Sequence, residues 1–544
     1  MTVMVPYRSS VAPARPPGFP SLLLAEWTKL RTVRGFLIAL LLTVLLPVGF
    51  TLLGRSECSF GSDGQSFACP SAPVGPDGEA VDDNLYFVHQ SLPANGSITA
   101  EVTGLTGKYN QPSGNRVRVG QAFPSASGTQ PWSKAGIMIK ASTKQGSAYA
   151  AMLVTGSNGT RMQWDYTGDT AGLGGDVSAS SPRWLRLVRS GSTVTGYDSR
   201  NGSTWTEVGR YQVHGLPASG TVQVGLFAAS PSHTTVTNSI GSSVGSQGPA
   251  LATGAFAAVT ASGTAGAGPW TGTEIGSGIG PVPPGAPTPG GPGSIFDGSW
   301  QQAGPAAFTV SGSGEVGPDV PGAPDSIGAS VQVALSGMFV ALIVVIVLGA
   351  LFVAAEYRRG MIRVTLAAAP SRWRVLAAKS AVLAAASFVA GLIAVGITLP
   401  LGLHLLRAGG NPIDPISALT EARMAVGTAL LLAVAAVLAL AIGAMTRRSM
   451  LAIVTVIVFI FIPYILVNVA NLLPGATTHW LLRLLPIAAF SIQQPYPAYH
   501  QVLAPYTASN GYYPLAPWAG LGVLVLWAAV ALVAAGWLLR RRDA

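Results

Sequence analysis

Six long apolar runs divide the chain, at 36–53, 330–355, 381–403, 424–445, 451–472 and 518–539. Each is near or above the roughly 18–20 residues with which a helix crosses about 30 Å of hydrocarbon. None contains a Lys, Arg, Asp or Glu. A backbone in hydrocarbon must satisfy its own hydrogen bonds, so the runs predict six transmembrane helices. The stretch between the first and second runs is different in kind. Apolar and polar residues alternate there with period two at 97–102, 135–140, 149–154 and 184–189, and strand patterns recur at 193–199, 204–209 and 222–228. Short strands at this spacing predict an antiparallel sandwich. Asn201-Gly202 is a hairpin signal, because both positions tolerate positive φ.

Basic residues fix an orientation. They cluster before the first run (Lys29, Arg31, Arg34), between the second and third (Arg358, Arg359, Arg363, Arg372, Arg374, Lys379), between the fourth and fifth (Arg447, Arg448) and after the sixth (Arg540, Arg541, Arg542). Outside the β insert, the alternate connections hold only Arg55, Arg407, Arg423 and Arg483. The positive-inside rule then places both termini in the cytosol and the β insert outside. Five or seven spans would put the basic clusters on opposite faces. The expected fold class is an α-helical membrane bundle of six transmembrane helices with a large extracellular all-β insertion, multi-pass in a bacterial plasma membrane.

Composition excludes several functions. Hydrophobic residues make up 49% of the chain and charged residues 10%. The net charge of +10 does not point to nucleic acid: residues 56–330 carry −5 and the remainder +15, mainly at helix ends facing the anionic inner leaflet. No basic patch with interleaved aromatics occurs, so no nucleic-acid partner is expected. The six His form no metal-ligand spacing and no cofactor is expected. The first run is longer than a signal-peptide core and lacks a small-residue cleavage site. Arg55 and Glu57 break a lipobox before Cys58. Cys58 and Cys69 follow that run, where an oxidising exterior favours a disulfide over two free thiols.

Two resemblances extend this reading. The motifs WSKAGIMIK at 132–140, WLRLVR at 184–189 and GYDS at 196–199 with GSTW at 202–205 resemble the concanavalin A-like, laminin-G-like jelly-roll family over roughly residues 85–240. Members often bind glycans and some are glucanases. The clustered E-x-D-x-x-E strand of the glucanases is missing, and Asp165, Asp169 and Glu207 read as surface charges. Trp132 and Trp164 are candidates for stacking on an extracellular glycan, with core packing as the competing reading.

The segments outside the insert resemble type 2 ABC transporter permeases of the actinobacterial type. The carriers are AEWTKLRT at 25–32, EYRRGMIRVTL at 356–366 followed by PSRWR at 370–374, and LLPIAAFSIQQ at 484–494. The large external domain is the departure from plain members. The resemblance implies a permease acting as a homodimer or heterodimer with a second permease, driven by a separate ABC ATPase subunit. It places the coupling loop at 356–379, with Glu356, Arg358, Arg359, Arg363, Arg372, Trp373 and Arg374 as its contact residues. Before the first span, Leu23, Trp27 and Leu30 fall at i, i+4 and i+7, with Glu26 and Lys29 elsewhere, as in an amphipathic helix at the bilayer surface. No G-x-x-x-x-G-K-[ST] loop occurs, so the chain does not cradle nucleotide phosphates and is not itself the ATPase. Intramembrane charges that would suggest a proton relay are missing too.

The organisation expected is a cytosolic tail and interfacial helix (1–35), the first transmembrane helix (36–54), an external segment with the Cys pair (55–84), the sandwich (85–240), a Gly/Pro/Ser-rich linker with a small strand-rich piece (241–329) and transmembrane helices two to six (330–544). PVPPGAPTPGGPG at 281–293 is the clearest linker sequence. Within 473–517, the apolar stretch 480–490 is expected to form a short re-entrant or interfacial helix. The reading that follows is the permease subunit of an ABC-type export system. A membrane-anchored, glycan-binding sensor is the alternative, and an external hydrolase is third. The orientation has a direct test. A cysteine introduced at position 200 should react with an impermeant thiol reagent on intact cells, and one at 447 should not; the reverse labelling would invert the topology.

Overall fold

The structure, a computed structural model, describes residues 18–54, 58–60, 67–69, 71–110, 125–239, 242–263, 269–276, 297–323, 326, 329–358, 360–361, 371–468, 475–504 and 506–541. The linker sequence 281–293, Arg359 and Arg363 lie outside the described residues. The helices are α1 (Phe19–Thr32), α2 (Arg34–Leu53), α3 (Met338–Arg358), α4 (Arg372–Ala408), α5 (Ala418–Thr446), α6 (Ser449–Asn468), α7 (Gly475–Leu484) and α8 (Pro517–Arg541). Six of them, α2 to α6 and α8, are long and apolar enough to cross a membrane.

α5 is the most enclosed span and packs against α3, α4 and α8. Lipid tails are as apolar as leucine, so helices in a bilayer gain from close approach rather than from hydrophobic burial. Small residues provide that approach here. A Cβ at Gly349 of α3 would overlap the Ala436 carbonyl of α5, and one at Gly391 of α4 would lie 3.1 Å from the Ala429 Cα. The outward faces of α2, α6 and α8 expose Ile38, Leu41 and Leu45, Val454 and Val458, and Val530 and Val533. Only bilayer or a second membrane chain suits such surfaces.

Of the coupling loop expected at 356–379, residues 372–379 are the first two turns of α4, which runs for 37 residues, and 362–370 lie outside the described residues. The apolar stretch at 480–490 is split by Pro486. α7 ends at Leu484, and a 3₁₀ segment at Pro486–Gln493 lies buried between α5 and α8. Gly427 and Gly520 admit it against Ile492 and Ala488.

The insert is a sandwich of two antiparallel sheets. One has strands in the order Gly168–Ala171, Thr160–Trp164, Tyr149–Thr155, Lys134–Lys140, Val222–Ala229, Leu85–Leu92 and Thr271–Ile275. The other runs Thr206–Gln212, Thr193–Ser199, Arg183–Ser190, Asn95–Asn110, Ala250–Ser262, Ala307–Gly312 and Ser299–Gly304, with Ser125–Ser127 beside Asn95–Asn110. Ile98, Ala100, Ile137, Ile139, Met152, Leu185, Leu187, Val224, Leu226 and Phe308 fill the space between them. The sheets do not stop at residue 240: Ala250–Ser262 is hydrogen-bonded between Asn95–Asn110 and Ala307–Gly312 in the middle of the second sheet. Its alternation is diluted by Ala and Gly, which hides a strand in a sequence otherwise rich in linker residues. At Asn201-Gly202 a hairpin forms, but its loop is longer than two residues. Only Gly202 takes positive φ (69°), and the Asn201 side chain accepts hydrogen bonds from the Ser203 and Thr204 amides instead.

Strands Lys134–Lys140 and Tyr149–Thr155 are buried on both faces. The sheet's outer face carries a second core of Val81, Leu85, Phe87, Met138, Tyr149, Tyr166, Phe227 and Val316. Two ammonium groups are enclosed with it. Lys134 Nζ donates to Glu315 Oε1 at 2.5 Å, and Lys140 Nζ to Asp83 Oδ2 at 2.7 Å. The Tyr166 hydroxyl donates to Asp83 at 2.9 Å. Asp165 and Tyr166 both have positive φ, 42° and 60°, which is costly for a bulky side chain. The Tyr166 hydroxyl contacts hold this turn in place.

That turn is where the sandwich meets the bundle. Gln501, between the 3₁₀ segment and α8, donates through Nε2 to the carbonyls of Tyr166 and Thr167, both at 3.1 Å. Val320, Ala323, Val502 and Tyr512 form a shared apolar cluster, with Tyr496, Tyr499 and Tyr506 packed around it. Ala329 donates to the Pro412 carbonyl (2.8 Å) and Cys58 to that of Gly409 (3.0 Å), both in the α4–α5 connection. Cys58 and Cys69 are joined by a disulfide, with Cα atoms 5.8 Å apart.

Asp414 of that same connection is buried, and burial together with the charge of Asp319 pushes its carboxyl up from 3.8 to about 8. An acid with a raised folded pKa is held neutral by the fold. Its stabilising state is complete below about pH 4 and is lost progressively as the pH rises towards 8. The melting temperature of the purified protein should therefore fall across this window, and Asp414→Asn should flatten that dependence. An identical pH profile in the variant would show that Asp414 is ionised in the fold.

Candidate functional site

Four charged side chains meet at the end of the bundle where α1, the last turn of α3 and the first turns of α4 come together. Lys379 Nζ of α4 donates to Glu26 Oε2 at 2.8 Å and to Glu356 Oε1 at 2.5 Å. Lys29 Nζ donates to Glu26 Oε1 and to Glu356 Oε1, both at 2.9 Å. Glu26, Glu356 and Lys379 are each less than 5% exposed, and the Lys29 side chain is 35% exposed. Two ammonium and two carboxylate groups leave the group formally neutral. Lys379 also lies 5.2 Å from the Phe352 ring centroid. Partial burial works to lower the Lys29 pKa, but its hydrogen bonds to the two glutamates outweigh this and raise it.

Local sequence explains how the helices present these groups. On α1, Leu23, Glu26 and Leu30 share the face turned to the bundle, and Trp27 is 46% exposed at its margin. The docking face is thus i, i+3, i+7 through a glutamate, rather than the i, i+4, i+7 face through Trp27. Thr32 ends α1, and Val33 in an extended conformation turns the chain into α2. Glu356 lies in the last turn of α3. Lys379 sits two turns into α4, on the same face as the buried Val375, Leu376 and Leu383.

The other residues expected here are distributed differently. Arg358 closes α3. Arg372 donates through Nη1 to the Leu539 carbonyl of α8. The Trp373 ring lies against Gly536 and beneath the Arg540 guanidinium, 5.6 Å away. Arg374 is exposed. Arg447, in a left-handed C-cap of α5 (φ 57°), covers the Tyr357 ring at 5.4 Å. In the sandwich, Trp132 is 7% exposed with the Arg161 guanidinium 5.7 Å from its ring. Trp164 is stacked on Tyr211 at 3.5 Å. The Trp132 ring belongs to the packed interior, and one Trp164 face is taken by Tyr211, so core packing describes them better than an open sugar platform. Among the described residues, no group of three or more His, Cys, Asp or Glu is placed to hold a metal.

Sequence reasoning set Glu26 off the apolar face of α1 and counted Lys379 only as a basic residue of the coupling loop; both are buried, and their pairing was missed. The signal was present: Glu26 interrupts the apolar face of α1, and Lys379 stands two residues before an uncharged run of 23 residues. Neither position is comfortable for an unpaired charge.

The family model described as ABC-2 family transporter protein matches residues 22–544. No curated protein matches the chain. Similar solved structures include the GH43 protein BlXynB from Bacillus licheniformis (17% identity, 25% of this chain and 24% of that one, TM-score 0.17). A protein of unknown function from Saccharomyces cerevisiae matches at 13% identity over 39% of this chain and 95% of that one, with TM-score 0.21. Scytalido-glutamic peptidase with a peptide-based transition-state analogue matches at 8% identity over 43% and 98%, with TM-score 0.22. At these TM-scores none of the three bears on fold or activity.

Removing one partner from a buried ion network leaves its counter-charges unpaired, at a cost of about 3–5 kcal/mol. Lys379→Ala leaves two carboxylates sharing the Lys29 ammonium and should lower the thermal stability of the purified protein by an amount of that order. Adding Glu356→Gln to Lys379→Ala should restore part of it, because Glu26 keeps Lys29. Additive losses in the double variant would show that the two side chains are not coupled.

Proposed function

The chain belongs to the ABC-2 transporter family, whose model spans residues 22–544, and from this premise we propose that it is the permease subunit of an ABC-type export system driven by separate ATPase subunits. The observation that carries the reading is the buried ion network. It ties a helix lying before the first span to the two helix ends that flank residues 359–371. A load applied to that segment by a docked ATPase would reach α1, α3 and α4 together, because none of the three can shift without exposing or unpairing a buried charge. The missing phosphate-binding loop requires the ATPase to be another polypeptide.

In this reading α1 lies on the cytosolic face, both termini are cytosolic, and the sandwich stands outside a bacterial plasma membrane. Two permease chains, alike or different, form the path. Glu356 is a positioning residue inside the bundle, and the ATPase contact falls to the segment before α4 and to the exposed side of its first turn. The sandwich adds a fixed external body rather than an independent receptor. The glycan-sensor alternative would need an open aromatic face, which neither Trp132 nor Trp164 supplies well.

The purified chain alone should show no ATPase activity, and a cognate ATPase should co-purify with it. A helix-breaking proline at Val375, costing about 3 kcal/mol or more, should weaken the complex further than Arg374→Ala, a surface charge worth under about 1 kcal/mol. Trp373→Ala should also exceed Arg374→Ala. ATPase binding and stimulation that survive deletion of 370–376 would refute the coupling role.

A further inference from the structure

A second basic feature lies at the same end of the bundle, beside the first turn of α4. Between the start of α4 and the end of α8 lies an open pocket of about 410 Å³, lined by Ser371, Arg372, Trp373 and Arg540. Its lining consists of two guanidinium groups, a hydroxyl and an indole, with no carboxylate. Glu26 and Glu356, on the helices α1 and α3 that pack beside α4, are committed to Lys29 and Lys379. Ser371 is the N-cap of α4 and its side chain makes no capping bond. The first-turn amides of a 37-residue helix therefore add their partial positive charge to the same spot.

The surroundings identify the depth of the pocket. Arg540 and Arg541 are the last turn of a span, and Arg541 lies 4.1 Å from the exposed Trp537 ring. Stacked Trp and Arg at a helix end mark the level of lipid headgroups. Directly along α8 from Trp537, Val533 and Val530 are 59% and 53% exposed, an apolar stripe that leads from the pocket into the hydrocarbon.

We propose that this pocket binds the phosphate of an anionic phospholipid, with the acyl chains lying along Val530, Val533 and Trp537. The phosphate oxygens suit Arg540 and Arg372 as forked donors, and the Ser371 hydroxyl and α4 amides as further donors. The chains give the lipid contacts that a free phosphate lacks. A bound lipid would bridge the starting turn of α4 and the final turn of α8, the two elements already joined by Arg372 and the Leu539 carbonyl. Placement in the inner leaflet rests on the orientation proposed above; the binding itself does not.

Native mass spectrometry of the detergent-purified full chain tests this. With dioleoylphosphatidylglycerol, one lipid should be retained at activation energies that strip dioleoylphosphatidylcholine. Arg540→Gln should reduce retention about five-fold, the effect of one arginine at an anionic surface. Arg540→Lys, which keeps the charge but not the fork, should lose less than Arg540→Gln, and the sandwich variant Arg210→Gln should leave retention unchanged. Sodium phosphate should fail to displace the phosphatidylglycerol. Equal retention of both lipids, or unchanged retention in Arg540→Gln, would overturn the proposal. So would displacement by sodium phosphate, which would assign the pocket to a soluble phosphate ester. Loss of ATPase co-purification in Arg540→Gln with lipid retention intact would assign it to the ATPase. Because the lipid assay contains no ATPase, its failure leaves the transport reading standing, and failure of the transport reading leaves the lipid result standing.

Discussion

A charge enclosed at the end of an apolar bundle has to be matched there, and this requirement organises the cytosolic-side architecture expected for the chain. Lys379 lies inside the bundle, where an unpaired ammonium would cost several kcal/mol. Its two glutamate partners come from helices distant in sequence, α1 and α3. The match can be made in one arrangement only: α1 must lie with Glu26 inward, and α3 must end with Glu356 beside α4. A set of leucines at these positions would hold the helices together without specifying their rotation or register.

The opposite end of the molecule is fixed by a different device. The outer face of the seven-stranded sheet is filled by the chain's own side chains, including Lys134 and Lys140 with their acidic partners. Gln501 and the tyrosines around Val502 then clamp the turn at Tyr166. That face is occupied by the chain itself. It turns the sandwich into an extension of the helical bundle, so that a movement of the α4–α5 connection or of the segment before α8 would be felt by the sandwich. Asp319 and Asp414 lie close enough in this junction for each charge to act on the other, which makes its packing sensitive to protonation.

Much of the architecture is written locally. The six spans, the sign of each connection, the strand alternation in the insert and the lack of a phosphate-binding loop follow from the order of residue types over windows of a few to about twenty positions. Hydrophobic length and period-two alternation are local quantities, and the bilayer leaves few ways to satisfy them. The two cysteines, eleven residues apart, likewise announce their pairing.

What tertiary structure alone decided concerns partners that the sequence places far apart. Glu26 and Lys379 are 353 positions from each other, and each looks like an ordinary helix-end charge until the bundle closes. Trp132 and Trp164 carry the residue type of a sugar platform, and only packing against Arg161 and Tyr211 shows how their rings are used. The strand Ala250–Ser262 is too rich in Ala and Gly to declare itself, and is fixed by neighbours on both sides. Trp373 and Arg372 have the position expected of a docking loop, yet they close on the last turn of α8. In each case the residue type fixes which interactions are chemically possible, and the pairing depends on distances that arise only when the helices and sheets are assembled.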